Sequence, residues 1–216
     1  MYAEFGEVLD LELNRSLQAL AAALRARSLP WIRDVVPALC GIAVHFDPYH
    51  PELPASVLEY CEQLLQECFK SAAKFEDSAR TVEVPVCYDP DFGLDLSDVS
   101  LRISVSMEEI VKRHTSSRQS VLMVGFSPGQ PYIGGLDPKL SLPRRATPRT
   151  RVPAGSVGIA NAQTCVYSFE TPGGWNVIGR TPLAVFDPAR EPASLFAPGD
   201  RVRFNAIGRG EFDRLA

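Results

Sequence analysis

The first 80 residues carry an amphipathic pattern that predicts two pairs of a strand and a helix. Residues 2–11 alternate loosely between apolar and polar side chains, and leucines then recur at positions 13, 17, 20 and 24. That spacing places the leucines on one face of a helix, with Asn14 or a neighbour near its cap. The apolar run 38–44 predicts a strand, and the apolar stripe over 57–72 predicts a second helix. The order strand, helix, strand, helix predicts a small α+β sandwich layer.

The hydrophobic period changes at Thr81, where valines begin to alternate with polar residues as in a strand with one buried face. We therefore predict two domains, residues 1–80 and 81–216. Short helices are expected over 95–103 and 106–114, the second opened by a capping box at Ser106. Later apolar runs alternate with Pro and Gly turns, at 121–124, 157–160, 164–169, 175–178, 183–186 and 201–204. Many short strands separated by turns predict a β-barrel, and the polar end after residue 207 is expected to be a loose tail.

Composition and charge narrow the class of protein. A chain of 216 residues fits one small and one medium domain. The net charge of -4 argues against a nucleic-acid partner. No apolar run approaches the ~20 residues of a membrane span, and the acidic start is unlike a signal peptide, so we expect no membrane partner and a cytoplasmic location. Five cysteines without a C-x-x-C pair, and three histidines without ligand spacing, predict reduced thiols and no metal site.

The stretch 125–180 is rich in Pro and Gly, which fix loop backbones, and rigid loops are where binding groups concentrate. Four arginines lie there, at 144, 145, 149 and 151. Because a guanidinium binds carboxylate or phosphate through two parallel hydrogen bonds, two or more of them are expected to converge on an anionic ligand, with Arg144, Arg149 and Arg151 preferred. The alternative is a solvated basic loop, or internal salt bridges to acidic residues.

Five further residues are candidates for polar chemistry. His114, expected at a helix end near the barrel mouth, would move a proton or contact an anion, or would only interact with the carbonyls of its helix. Gly129 belongs to a turn that would present backbone N–H groups to an anion, or would only close the barrel. Gln163 and Thr164 would orient a small polar ligand, and Tyr132 would form a pocket wall or part of the core.

Motifs for autonomous hydrolysis are missing from the sequence. There is no G-x-S-x-G elbow, no phosphate loop of the G-x-x-x-x-G-K-[ST] type and no convincing carboxylate pair. This pattern fits a subunit that contributes a binding or activating site to a larger enzyme.

Four motifs carry a resemblance to a known family. They read GFSPGQPYIGGL at 125–136, PRRATPRTRVPAGSVGIA at 143–160, PGGWNVIGRTP at 172–182 and PGDRVRF at 198–204. In this order they resemble the family of the B-type subunit of 5-oxoprolinase, also called KipI or allophanate hydrolase subunit 1. The resemblance covers nearly the whole chain and implies a cyclophilin-like β-barrel in the second domain. Three residues depart from the family pattern: Gln130 stands where an aromatic is usual, Cys165 where a glycine is common and Ser168 where a proline is common. A polar Gln130 beside a pocket is expected to change which ligand is accepted.

The resemblance implies a hydrolase subunit that, together with A-type and C-type partner subunits, converts 5-oxo-L-proline to L-glutamate with ATP. ATP and Mg²⁺ are expected to be shared with those partners, and the chain is expected to be inactive alone. Two alternatives stay open: a KipI-like inhibitor of a sensor histidine kinase, and a component that processes urea or allophanate. The site expected from residues and resemblance together has His114, Arg149 and Arg151 as catalytic residues. Substrate or phosphate is expected to contact Gly129, Tyr132, Arg144, Gln163 and Thr164.

Overall fold

The computed structural model describes residues 1–72 and 80–216, without the side chains of residues 68 and 70–72. The chain divides into two compact units, Met1–Ser78 and Ala79–Ala216. Each unit has its own hydrophobic core. None of the helices in the described part of the chain combines the length and the apolar character that crossing a bilayer requires.

The first unit is a three-stranded antiparallel sheet with two helices. Its elements are β1 (Tyr2–Glu4), α1 (Leu11–Ala26), β2 (Ile32–Pro37), β3 (Gly41–Phe46) and α2 (Val57–Ala72). The strands lie in the order β1-β3-β2. Apolar side chains of both helices and of β2 and β3 form the core: Leu17, Leu20, Leu24, Val35, Ile42, Val44, Leu64 and Leu65. Both predicted helices are present; the predicted contributions of Cys68 and Ala72 to the stripe of α2 lie outside the described side chains.

The cap of α1 differs from the prediction. Asp10 caps the helix, because its carboxylate accepts the N–H groups of Glu12 at 2.8 Å and Leu13 at 3.1 Å. Asn14 lies inside the helix and is buried, and its Nδ2 donates to the carbonyl oxygen of Ala38 at 3.0 Å. Asn14 therefore ties the helix to the turn after β2 instead of capping it.

The single strand predicted within residues 38–44 is part of a hairpin made by β2 and β3. The N–H of Ala38 donates to the carbonyl of Gly41 at 2.8 Å and closes the turn. Residues 39 and 40 are Leu and Cys, so the apolar run continues across the turn and the sequence shows no break there. Strand β1 is also shorter than the predicted 2–11, because it ends at Glu4.

The second unit is built around a closed barrel of seven strands. Over residues 80–216 the unit has nine strands, seven in the barrel and two outside it: β4 (Thr81–Cys87), β5 (Gln119–Val124), β6 (Pro131–Gly134), β7 (Arg149–Val152), β8 (Ser156–Ala160), β9 (Gln163–Val166), β10 (Thr171–Gly173), β11 (Asn176–Arg180) and β12 (Arg201–Ile207). The order around the barrel is β11-β4-β12-β5-β6-β9-β8, while β7 and β10 form a separate two-stranded sheet. Neighbouring barrel strands are antiparallel, except that β4 and β12 are parallel.

Alternate residues of the barrel strands belong to two different clusters, as the period of a strand requires. On β9, Val166 packs in the interior core and Cys165 in an outer cluster; on β8, Ile159 packs inside and Ala160 outside. Thr164, which shares a face with Val166, is therefore directed inwards. The outer cluster consists of Val152, Ala160, Cys165, Tyr167, Trp175 and Val177, with Tyr132 packed against it.

Three helices complete the second unit: α3 (Leu96–Ile103), α4 (Met107–Ser116) and α5 (Arg209–Leu215). The Oγ of Ser106 accepts the N–H of Glu109 at 3.2 Å, so Ser106 caps α4 as predicted. Helix α5 replaces the loose tail expected after residue 207, because Phe212 is buried against Phe92 with ring centroids 4.3 Å apart.

Two local predictions in the loop-rich stretch are wrong. Residues 183–186 form no strand, and only Phe186 makes a single bridge, to Ser194. Arg149 and Arg151 lie on strand β7 and not in a loop. The predicted class is nevertheless confirmed: an α+β chain in which an N-terminal α+β unit precedes a β-barrel.

Candidate functional site

His114 lies in the last turn of α4, and its side chain is completely buried. Its Nδ1 is 2.8 Å from the hydroxyl of Tyr88, and its Nε2 is 3.2 Å from Oγ1 of Thr164. The Thr164 hydroxyl donates to Oε1 of Gln119 at 2.7 Å, and Nε2 of Gln119 donates to the carbonyl of His114 at 3.1 Å. The ring also packs on Phe204, with centroids 4.4 Å apart. The four polar residues form a closed hydrogen-bonded network.

The direction of these hydrogen bonds fixes the protonation of His114. Since Thr164 gives its one hydroxyl proton to Gln119, Nε2 of His114 must carry a proton and donate to Thr164. Complete burial disfavours a second proton on the ring, so the ring is neutral and Nδ1 accepts from the Tyr88 hydroxyl. Burial lowers the pKa of His114 to about 3 and raises that of Tyr88, which keeps the tyrosine protonated. The ring has no exposed surface. The proton-transfer role of His114 stays a prediction.

Arg149 is paired with a buried aspartate. Its Nη1 lies 2.5 Å from Oδ2 of Asp95 and its Nη2 lies 2.7 Å from Oδ1, so the contact is bidentate. Arg145 donates to the same carboxylate, and the N–H of Val177 donates to Oδ2 at 2.8 Å. Asp95 is only 1% exposed. The guanidinium of Arg149 is therefore used within the protein, and its catalytic role stays a prediction.

Arg144 differs from these arginines because its guanidinium lies on an aromatic ring. The guanidinium carbon is 5.3 Å from the ring centroid of Trp175. Tyr132 contacts the same indole edge to face, with centroids 5.9 Å apart. Burial raises the pKa of the Tyr132 hydroxyl, while the charge of Arg144 opposes that shift. Arg144 is exposed, and among residues 1–72 and 80–216 no carboxylate lies within ion-pair distance of it. We call Arg144, Trp175 and Tyr132 the cationic platform.

Gln163 lies on the face of the barrel that carries the platform. It is two residues from Cys165 on β9 and therefore shares its outward direction. Cys165 pairs with Tyr132, and Gln163 pairs with Gly134 on the neighbouring strand. Nε2 of Gln163 is buried and has no hydrogen-bond partner among the described residues. The same face of the barrel thus also carries a buried amide group without a described partner.

The remaining predicted residues lie apart from the platform contacts. Arg151 forms an exposed ion pair with Glu170 at 2.6 Å. Gly129 has a φ of +75°, and a Cβ there would lie 2.8 Å from Cβ of Phe186, so the turn requires glycine. Thr164 is directed into the barrel beside His114. The structure therefore groups Tyr132, Arg144 and Gln163 on the outer face and separates them from His114 and Thr164.

Comparison with known proteins identifies the family. The family model for the carboxyltransferase domain, subdomain C and D, matches residues 1–196. The curated B-type subunit of 5-oxoprolinase from Bacillus subtilis (strain 168) is 37% identical over 218 residues, which cover 98% of this chain and 91% of that protein. This chain belongs to the family of 5-oxoprolinase B-type subunits. The family predicted from the sequence motifs is thereby confirmed.

Two longer proteins contain a region similar to this chain. The crystal structure of TTHA0988 superposes with a TM-score of 0.82 at 39% identity, covering 96% of this chain and 39% of that one. The urea amidolyase of Lachancea kluyveri is 29% identical over 169 residues, which cover 68% of this chain and 9% of that protein. In both proteins the similar region is part of a longer polypeptide.

Two of the three departures from the family pattern, Gln130 and Ser168, lie in one polar cluster. The hydroxyl of Ser127 contacts both: it donates to Oε1 of Gln130 at 3.2 Å and lies 2.9 Å from Oγ of Ser168. Gln130 is only 2% exposed. Its side chain therefore belongs to this polar cluster. That Gln130 changes which ligand is accepted stays a prediction.

Sequence reasoning missed the role of Asp95. It was expected only as the first residue of a helix, and it does precede α3, but its carboxylate makes no helix-capping hydrogen bond. It is directed instead at arginines 50 and 54 residues further along the chain. No local pattern reports a partner at that separation. The only indication of an acidic partner in the sequence was the high density of arginines, because a buried arginine requires a carboxylate to neutralise it.

Proposed function

We propose that this protein is the B-type subunit of an ATP-dependent 5-oxoprolinase, which acts with A-type and C-type partner subunits in the cytoplasm. Its role would be to bind 5-oxo-L-proline while the assembled enzyme opens the ring to L-glutamate. Family membership supports the assignment to an enzyme subunit, and its curated relative carries the name of a 5-oxoprolinase subunit. The cationic platform supports the choice of ligand.

The position of Arg144 carries this proposal. Arg145 and Arg149 are neutralised in part by Asp95, whereas Arg144 has no acidic partner among the described residues and presents its guanidinium beside an indole. Such a group binds a carboxylate through two parallel hydrogen bonds, and the half-buried ring of Tyr132 offers an aromatic surface on the same face. The carboxylate of the substrate would pair with Arg144.

ATP and Mg²⁺ belong to the proposal as reactants shared with the partner subunits. ATP would supply a phosphoryl group to the lactam oxygen, which makes the carbonyl carbon more electrophilic. Water could then add to that carbon, and the ring would open by cleavage of the C–N bond as the nitrogen takes up a proton, with ADP and phosphate as the other products. Among the described residues, no three His, Cys, Asp or Glu side chains are grouped to hold a metal ion. We assign this chain the binding and orientation of the substrate.

Replacement of Arg144 by Gln tests the proposal in the reconstituted complex. Gln keeps a polar side chain but loses the charge, so kcat/KM for 5-oxoproline should fall roughly 10- to 100-fold, mainly through KM. Arg203→Gln is the matched control, because Arg203 is also exposed and pairs with Glu83 at 3.1 Å. That variant should keep wild-type kinetics. Equal kinetics in the two variants would show that the platform does not bind substrate.

The same complex should be assayed with urea and allophanate. The similarity to a urea amidolyase favours a second candidate, a component that acts on one of these compounds. Urea has no carboxylate and would not use Arg144, whereas allophanate has one. ATP-dependent turnover of either compound, without turnover of 5-oxoproline, would replace the proposed substrate. Inhibition of a sensor histidine kinase, without turnover of any of the three, would support the regulator alternative.

A further inference from the structure

Asp95 is a buried carboxylate with two cationic partners. It contacts both Nη atoms of Arg149 and Nη1 of Arg145, and it also accepts the backbone N–H of Val177. These contacts use most of the acceptor sites of the two oxygens. We call Asp95, Arg145 and Arg149 the aspartate clamp.

The clamp joins three segments that are distant in the sequence. Asp95 precedes α3, Arg145 lies in the loop before β7, and Arg149 opens β7. The backbone N–H of Asp95 also donates to the carbonyl of Val177 at 2.8 Å, so backbone and side chain both hold β11. We call residues 143–148 the arginine loop. Loss of the carboxylate would therefore break the side-chain link that ties this loop and the start of β7 to the start of α3.

Arg144 lies between two further anchors of the same loop. The N–H of Arg145 donates to the carbonyl of Gly174 at 2.8 Å, next to Trp175. On the other side, Nδ2 of the buried Asn176 donates to the carbonyl of Pro143 at 3.0 Å. The backbone on both sides of Arg144 is thus bonded to residues that flank Trp175. These two backbone contacts and the aspartate clamp together restrict where the guanidinium of Arg144 can lie.

We infer that Asp95 is a positioning residue that holds the arginine loop so that Arg144 stays on Trp175. Without the negative charge, the guanidinium groups of Arg145 and Arg149 would share a partly buried site with no neutralising partner, which is unfavourable. The loop would then move to give both groups water, and Arg144 would move with it. The inference rests on the proposed function only for its effect on turnover, since the geometry of the loop is independent of substrate.

The fluorescence of Trp175 tests the inference without substrate. In a Trp31→Phe background Trp175 is the only tryptophan. Arg144→Gln removes the cation from the indole and should change the intensity or the emission maximum. Asp95→Asn, which has nearly the same shape, should give a change of the same sign. The double variant should give no more than Arg144→Gln alone, because both changes remove the same contact.

Asp200→Asn is the matched control for a general loss of stability. Asp200 is likewise buried, pairs with Arg80 at 2.5 Å and accepts the N–H of Ala197 at 2.8 Å, but has no contact with the arginine loop. Its variant should leave Trp175 emission unchanged while the protein is folded. An unchanged emission in Asp95→Asn, or additive changes in the double variant, would overturn the inference. If Asp95→Asn does not fold, Arg149→Gln removes the bidentate contact between β7 and the clamp while the pair of Asp95 and Arg145 remains, and it must give a smaller spectral change of the same sign.

Kinetics of the reconstituted complex provide a second test of the inference. Asp95→Asn should lower kcat/KM for 5-oxoproline by about the factor seen for Arg144→Gln, roughly 10- to 100-fold, and the double variant should lose no more. A spectral change in both variants with normal kinetics would retain the positioning role and reject the proposed substrate site. A kinetic loss in Asp95→Asn without the spectral change would instead contradict positioning.

Discussion

His114 illustrates how a residue type can indicate chemistry while its surroundings decide what is available. A histidine at the end of a helix predicted a side chain near the barrel mouth, but the ring is directed inwards and hydrogen-bonded on both nitrogens. A buried neutral ring in a satisfied network stabilises the barrel only while it is uncharged. This property gives a pH dependence that can be measured.

The stability of the barrel should fall with decreasing pH because of His114. Its folded-state pKa of about 3 lies below the usual value near 6.5, so between these values the unfolded chain binds a proton that the folded chain does not. The free energy of unfolding should therefore drop as the pH falls through this window, by up to about 1.4 kcal/mol per unit. Denaturant titrations at pH 7.5, 6.5 and 5.5, followed by Trp175 emission, measure the slope.

His114→Asn should be less stable at pH 7.5 and should show a smaller loss between pH 6.5 and 5.5, because the titrating ring is gone. His45→Asn is the control, since His45 is exposed, and it should keep the wild-type slope. A slope in His114→Asn as steep as in the wild type would contradict the assignment. Turnover of the same variant in the complex tests the predicted proton-transfer role, which requires a drop of ~10²-fold or more.

The arginines show what the sequence can and cannot reveal about the candidate site. Their density predicted convergence on an anion, and two of them do converge, but on Asp95 within the chain. Sequence alone could not distinguish Arg144 from Arg149, because the distinction depends on a carboxylate about 50 residues away. The aromatic partner of Arg144, Trp175, is likewise 31 residues away, and only the fold brings them together.

At the level of elements, the sequence was most informative where one face of a strand or helix is buried. The valines of β4 and the leucines of α1 repeat with the period of their elements, so both were predicted. The hairpin of β2 and β3 was missed because its turn is apolar. Helix α5 was missed because Phe212 is its only buried residue among polar neighbours.

Helix α5 should contribute to stability through Phe212. The ring is 7% exposed and packs on Phe92, and the guanidinium of Arg180 lies 6.0 Å from both ring centroids. Phe212→Ala should lower the free energy of unfolding by about 1.5–3 kcal/mol, as expected for loss of a buried aromatic side chain. Leu215→Ala, at a 50% exposed position of the same helix, should cost far less. Equal losses in the two variants would show that α5 does not dock through Phe212.

At the scale of the whole molecule, the proposed function assigns this chain the binding of substrate. The cationic platform places the exposed charge of Arg144 beside the half-buried Tyr132 and the buried Trp175 on one face of the barrel. His114 is enclosed on the other side of the barrel wall. Binding of substrate and its chemical conversion should therefore be separable by experiment.

The isolated chain should bind 5-oxoproline but should not convert it. With ATP and Mg²⁺, glutamate release should stay at background for the isolated chain and should appear when the A-type and C-type partner subunits are added, because a platform that only orients the carboxylate leaves the lactam intact. Quenching of Trp175 by 5-oxoproline should detect binding in the isolated chain and should be weakened by Arg144→Gln. Mass spectrometry should confirm that the preparation contains no partner subunit. If such a preparation still released glutamate at a rate close to that of the complex, the catalytic residues would lie in this chain, and the proposed role in binding alone would be refuted.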